Sequence, residues 1–349
     1  MRVVVAMSGG VDSSAAAALL KEQGHEVIGI TLRVWSYDGA AQCGSCCSPE
    51  DIDDARAVAD TLGIPFYVAD AEELFKERVI HPFVQSYLGG KTPIPCVSCN
   101  KDVKFNFLLK RARALGAKLA TGHYARIESE GGKHRLLKAV DARKDQSYFL
   151  FTLGQEELAD ILFPVGGMTK EEVRAVAERY QLPTTHKPES MEICFVPDGD
   201  YARFVEKVAG PQQGGDIVDG VGNVLGQHAG VHRYTIGQRK GLGTGGTAGP
   251  LYVQHIDAET RRVVVGSAQD VERSEFEVLT PRWVDTAPSP EASLQVRIRH
   301  RHGGTPGRVV AGRPGRWKVS LDEPARAVTP GQAAVFYSGD QLLGGGWIS

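Results

Sequence analysis

Along the first two hundred positions, apolar residues fall into short solid runs separated by stretches where they recur every three or four residues. Residues 3–6 are one such run. They are followed by Ser8-Gly9-Gly10-Val11-Asp12-Ser13-Ser14 and then by an alanine- and leucine-rich segment, 15–20, of high helix propensity. The order is strand, glycine turn, helix. Residues 26–35 predict a second buried strand, and 36–47 a loop. Ser48-Pro49-Glu50-Asp51 has a capping serine, a proline at the first helical position and an acidic first turn. Ile52, Ala55, Ala59 and Leu62 then share one helical face. A third strand is expected at 66–69, a helix at 72–87, and irregular chain at 89–100, which is rich in glycine and proline. A helix over 103–115 and a fourth strand over 119–121 follow, leading into Gly122-His123-Tyr124. This βαβαβ rhythm predicts an α/β fold: a doubly wound parallel sheet with ligands at the carboxyl ends of its strands.

The rhythm changes further on. Segments 155–162, 169–180 and 201–209 read as helices, and from about residue 210 glycine and short β-rich runs take over (251–256, 262–265). From about residue 275 the pattern is one of short strands only: 295–299, 307–311, 317–321 and 333–337. Three domains are expected: a catalytic α/β domain over 1–209, a small central β-rich domain over 210–274, and a C-terminal β-barrel over 275–349.

Composition narrows the class. A 349-residue chain with 42% hydrophobic and 23% charged residues is an ordinary globular protein of more than one domain. A net charge of −2 excludes a polycation, so a nucleic-acid surface has to come from local segregation of charge. Such segregation exists. Residues 295–320 carry seven Lys or Arg and no acid, and Lys101, Lys104, Lys110, Arg111, Arg113 and Lys118 make a second basic segment. The apolar runs are far too short to span a membrane, and no signal peptide precedes the loop, so a cytoplasmic protein is expected. Its six cysteines, Cys43, Cys46, Cys47, Cys96, Cys99 and Cys194, then point to metal or sulfur chemistry rather than structural disulfides.

Ser8–Ser14 is the first chemical signature. Glycines let a backbone approach phosphate, N–H groups at a helix start bind anions, and no lysine follows as it would in a Walker A loop. Asp12 inside such a loop suits Mg²⁺ better than phosphate. The sequence SGGVDS resembles the pyrophosphate loop of enzymes that split ATP into AMP and pyrophosphate. More specific blocks surround it: CCSPEDIDDA, TPIPCVSCNKDVKF, TGHYAR, KDQSYFL, ICFV, HRYTIGQRKGLG and PGQAAVFY. Together they resemble the tRNA-specific 2-thiouridylase family over nearly the whole chain.

That resemblance implies an ATP pyrophosphatase fold of the adenine nucleotide alpha hydrolase type. It also implies ATP-dependent 2-thiolation of the wobble uridine in the tRNA anticodon loop, with sulfur supplied by a donor or relay protein. It assigns Cys99 as nucleophile and Cys194 as persulfide carrier, the two forming a transient disulfide. ATP would be held by Ala6, Met7, Ser8, Gly9, Gly10, Val11, Asp12, Ser13, Leu32 and Gly122, with Mg²⁺ on Asp12. The tRNA would be held by His123, Lys144, Asp145, Gln146, Arg299, His300 and Gln332.

The chain departs from the family pattern at Cys96, where Asp is common, at Ile94 for Asn, at Glu189 for Asp, and at His300 for Tyr. Cys96 creates a C-x-x-C with Cys99 and, with Cys194, offers three thiolates to a [4Fe–4S] cluster that could bind sulfide at its open iron. Cys43-Gly44-Ser45-Cys46 is a second C-x-x-C, and a structural zinc site is an alternative use of the two pairs. Two rival functions remain at this level: an amide-forming ATP pyrophosphatase, which needs no paired cysteines, and a non-catalytic, metal-bound RNA-binding module with a vestigial loop.

Overall fold

The structure is a computed structural model; it describes residues 1–34, 49–188, 193–196, 198–244 and 249–349. The expected 36–47 loop, its three cysteines, Ser48 and Glu189 lie outside the described residues.

Strand β1 (Arg2–Ala6) leads into α1 (Val11–Glu22), β2 (Glu26–Arg33), α2 (Pro49–Leu62) and β3 (Phe66–Asp70). The next helical stretch runs through α3 (Glu72–Phe75), a π-helical turn (Lys76–Ile80) and α4 (His81–Leu88). A further one runs through α5 (Pro95–Ser98), a second π-helical segment (Cys99–Phe105) and α6 (Asn106–Ala114). Here the structure differs from expectation: Pro95, at the first helical position, starts a helix inside the stretch whose glycines and prolines predict irregular chain. β4 (Lys118–Thr121) completes the predicted strands, and a hairpin of β5 (Ala125–Glu130) and β6 (Lys133–Lys138) follows. α7 (Gln155–Leu158) is shorter than its pattern predicts because Ile161–Leu162 leaves the helix to form β7 beside β4. Next come α8 (Lys170–Arg179) and α9 (Tyr201–Ala209).

The first sheet is parallel throughout, in the order β3-β2-β1-β4-β7. The order reverses between β1 and β4, so the crevice at the carboxyl ends of those two strands is the topological switch point. Val3 and Val5 face one core with α1 and α2, and Val4 faces the other, with the helices after β3, as a strand buried on both faces requires.

The central region is a four-stranded sheet of β8 (Gly215–Val218), β9 (Val224–His228), β10 (Tyr252–Asp257) and β11 (Arg262–Gly266), around Val253 and Val263. The last region has β12 (Glu272–Trp283), β13 (Leu294–Arg297), β14 (Thr305–Ala311), β15 (Arg316–Arg326), β16 (Ala333–Ser338) and β17 (Gln341–Ile348). Pairing of β12 with both β15 and β17 closes these six strands into a barrel. The β5–β6 hairpin extends that sheet through β17, so a piece of the N-terminal half is hydrogen-bonded to the barrel.

Candidate active site

The crevice at the switch point opens into a cavity of about 390 Å³. Its floor is the glycine loop. Gly9 has φ +68°, and a Cβ there would lie 2.2 Å from the Asp51 carbonyl oxygen, so only glycine lets α2 close down on the loop. Gly10 precedes α1 without a side-chain cap. Uncapped first-turn N–H groups of this kind suit an anion, while Ser13 Oγ accepts from Ser8 N (3.1 Å) and donates to Gly10 O (3.1 Å) to hold the turn. Gly122, after β4, abuts the loop from the other side: a Cβ would sit 2.6 Å from Ser13 N. Ile30, Leu32 and Val34 make an apolar shelf on the β2 side.

Asp12 is not an isolated acid. Its Oδ1 accepts from Lys170 Nζ at 2.6 Å and from the Tyr124 hydroxyl at 2.7 Å. Lys170 is buried at the start of α8, where Thr169 caps the helix and the Lys170 amide donates to Asp141. Sequence reasoning missed both partners. Tyr124 was visible only as part of a motif, and Lys170 reads as an ordinary polar residue of an amphipathic helix. On the far rim, Lys187 pairs with Asp51 (2.5 Å) and with Asp54, tying the chain before the last cysteine to α2.

All three described cysteines line this cavity. Cys96 is exposed on α5; Cys99, one turn on, is half-buried at the start of the π-helical segment. Cys194 is half-buried in the turn closed by Val196 N to Ile193 O. Its neighbour Phe195 anchors that turn among Phe75, Phe83 and Phe204, with ring centroids 5.0–5.7 Å apart. Among the described residues no three His, Cys, Asp or Glu side chains are gathered as metal ligands.

The residues expected at tRNA divide into two groups. His123, Lys144 and Gln146 line the cavity. His123 Nδ1 lies 2.8 Å from Thr121 Oγ1, and its ring packs against Phe105 and Phe163. This burial, with Lys104 nearby, pushes its pKa down to about 3, so the imidazole is neutral at physiological pH. The side chain keeps some accessible surface because that surface faces the cavity. Asp145, Arg299, His300 and Gln332 are not among the cavity's lining residues. Asp145 is buried, accepting from Ala139 N and Ser147 N and pairing with Arg297 at 3.0 Å. The His300 ring packs tilted against Phe149 (centroids 4.5 Å apart), and its Nε2 lies 3.0 Å from Asp145 O. Arg299 is exposed and donates to Arg326 O. Gln332 donates to Thr92 O at 3.0 Å, four residues before Cys96.

A glycine loop at the switch point of a parallel sheet, with the Lys170–Asp12 pair and three cysteines on the same cavity, is the arrangement of an ATP-using enzyme. Residues 1–198 match the family described as "tRNA methyl transferase HUP domain", 202–267 its PRC-barrel domain, and 273–348 an "Aminomethyltransferase beta-barrel domain". Relatives named "tRNA-specific 2-thiouridylase MnmA" align over 99% of this chain. The protein from Geotalea uraniireducens is 54% identical, with 94% of its length covered. The one from Geobacter metallireducens is 53% identical (96% covered), and that from Rhodospirillum rubrum 50% (96% covered). The chain belongs to the tRNA-specific 2-thiouridylase family.

Proposed function

We propose that this chain is an ATP-dependent sulfurtransferase that replaces the C2 oxygen of the wobble uridine in tRNA with sulfur. One observation carries the reading: Cys99 and Cys194 line the same cavity as the glycine loop and the Asp12–Lys170 pair. Activation and sulfur delivery therefore share one space.

The carbonyl oxygen at C2 is a poor leaving group. It attacks the α-phosphorus of ATP, and pyrophosphate departs toward the first-turn amides of α1 and the ammonium of Lys170, which stabilise its charge. Asp12 has a third of its side chain exposed at the loop, and as an oxygen donor it would hold Mg²⁺ there. Held there, Mg²⁺ would supply charge neutralisation for the departing pyrophosphate. The terminal sulfur of a Cys194 persulfide, loaded by a separate persulfide donor, then attacks C2 and AMP leaves. The Cys99 thiolate attacks Cys194 Sγ, and the electron pair of the broken S–S bond stays with the sulfur on C2. The products are thiouridine and a Cys99–Cys194 disulfide, which a dithiol reductant resets. His123, held neutral, serves as a hydrogen-bonding and stacking wall for the extruded base rather than as a phosphate-binding cation.

The chemistry needs no ligand role for Cys96, and Cys96→Ser should keep most of the activity; its loss would favour an iron-bound sulfur instead. The test of the function is nucleoside analysis of unmodified tRNA after incubation with enzyme, ATP, Mg²⁺ and a persulfide donor. 2-Thiouridine at the wobble position is expected. Methylated nucleosides, or pyrophosphate release that ignores tRNA, would overturn the reading.

A further inference from the structure

A second cleft, of about 420 Å³, lies between the β5–β6 hairpin, the loop that follows it and the barrel. Arg126, Lys138 and Arg297 face Asp145 and Asp340 across it. The acids are already engaged. Asp145 is buried and pairs with Arg297 at 3.0 Å, and Asp340 accepts from Arg126 at 3.2 Å. Lys138 is the excess cation. Its Nζ donates to a neutral acceptor, Gly339 O, at 2.8 Å, and among the described residues no carboxylate forms an ion pair with it. Lys138 Nζ and the Arg297 guanidinium each sit 4.9 Å from the centre of one ring, that of Tyr337. Burial, and next to it Arg297, push the Lys138 ammonium below its ordinary value, against the pull of Asp340 and Asp145. A partly desolvated ammonium beside a second cation is stabilised by an added anion.

We propose that this cleft binds one backbone phosphodiester of the tRNA, on Lys138 and Arg126. The inference rests on the tRNA reading above and adds to it a site outside the catalytic cavity. Two features select a phosphodiester over free phosphate. Among the residues that line the cleft three cations meet two acids, an excess of one that matches a diester rather than a dianion; Glu128, 3.9 Å from Arg126, lies outside that lining. The two sites also share a loop: Lys144 and Gln146 face the catalytic cavity, while Asp145 between them faces the cleft. A polymer with one base in the cavity passes over that loop, whereas a free ion has no such tie.

The experiment measures tRNA affinity of the full chain across a salt series for wild type, Lys138→Gln, Lys138→Arg and Arg126→Gln. ATP affinity without tRNA is the folding control. Lys138→Gln should weaken binding by about three- to tenfold and reduce the slope of log affinity against log salt by about 0.7–0.9, the loss of one phosphate contact. Lys138→Arg should restore both. A scan of single methylphosphonates through the anticodon arm should find one position that reproduces the loss in wild type and adds nothing in Lys138→Gln or Arg126→Gln. The scan also works on wild-type protein alone if a variant folds poorly. Unchanged affinity and slope in Lys138→Gln, with thiolation intact, would overturn the site and leave the function standing. Binding of inorganic phosphate that needs Lys138 but is undisturbed by tRNA would overturn it in favour of a free anion. A wild type that neither binds nor thiolates tRNA would overturn the function and the site together.

Discussion

At the scale of single residues, the contact of buried Lys170 with Asp12 ties α8 to the glycine loop at 2.6 Å. Asp12→Asn weakens the hold on Lys170 and removes the carboxylate offered to Mg²⁺. Lys170→Met removes the cation that meets departing pyrophosphate. Each should slow tRNA-stimulated pyrophosphate release by about 10²- to 10³-fold while leaving tRNA affinity within about twofold. Pyrophosphate release at the wild-type rate in either variant would remove the pair from the reaction. His123 gives a pH prediction. Its folded pKa of about 3 lies below the ordinary 6.5, so the unfolded state binds a proton that the folded state does not. Stability from this group is complete above pH 6.5 and is lost as pH falls toward 3, at up to about 1.4 kcal/mol per pH unit. In denaturant titrations at pH 7.5 and 5.5, His123→Asn should therefore lose less stability on acidification than wild type. Equal losses would mean that His123 titrates normally.

At the scale of elements, the strand–loop–helix unit was fully legible in the sequence, because β-branched residues, adjacent glycines and a run of alanines each favour the state they adopt. Gly9 is the point where that unit meets the rest of the fold. Gly9→Ala places a side chain at φ +68° and against the Asp51 carbonyl, and should cost about 1–3 kcal/mol in thermal or denaturant unfolding as well as most of the ATP affinity. Wild-type ATP affinity in that variant would show that α2 does not need to close on the loop. Other elements were not legible, for identifiable reasons. The β5–β6 hairpin is short and mostly polar, and it gains its place from β17, about two hundred residues later. The helix pattern through 155–162 is cut because Ile161 and Leu162 gain more as an edge strand beside β4. Pro95 lies in a stretch whose glycines and prolines predict irregular chain, yet at the first helical position it starts a helix. In the site, the loop and both cysteines could be read from local motifs. Lys170 could not, because its meaning comes from a contact 158 positions away.

At the scale of the whole molecule, basic barrel surface and catalytic cavity have to serve one substrate. Arg297, the first of the Arg297–His302 basic stretch, is committed to buried Asp145, so reversing its charge would damage the loop as well as any RNA contact. Arg299 and Arg301 are exposed and make the cleaner test. Reversing both should weaken tRNA binding and flatten its salt dependence by about two phosphate contacts without altering ATP affinity. An unchanged slope would mark the stretch as a solvated face. The three regions also converge just before the cysteines. Thr92 donates from its amide to Pro330 O, accepts from Gln332 at its carbonyl, and shares a 3.2 Å hydroxyl contact with Thr235. The cysteine helix is thereby held by both the barrel and the central domain.

In the proposed mechanism activation and sulfur transfer are separate steps in one cavity, with Cys194 needed only for the second. It is tested most directly by measuring pyrophosphate and 2-thiouridine in the same reaction, with tRNA, ATP, Mg²⁺ and a persulfide donor, for wild type and Cys194→Ser. Wild type should yield the two products in equal amounts. Cys194→Ser should still release pyrophosphate when tRNA is added and make no 2-thiouridine. Thiolation by Cys194→Ser at the wild-type rate would contradict that division of steps.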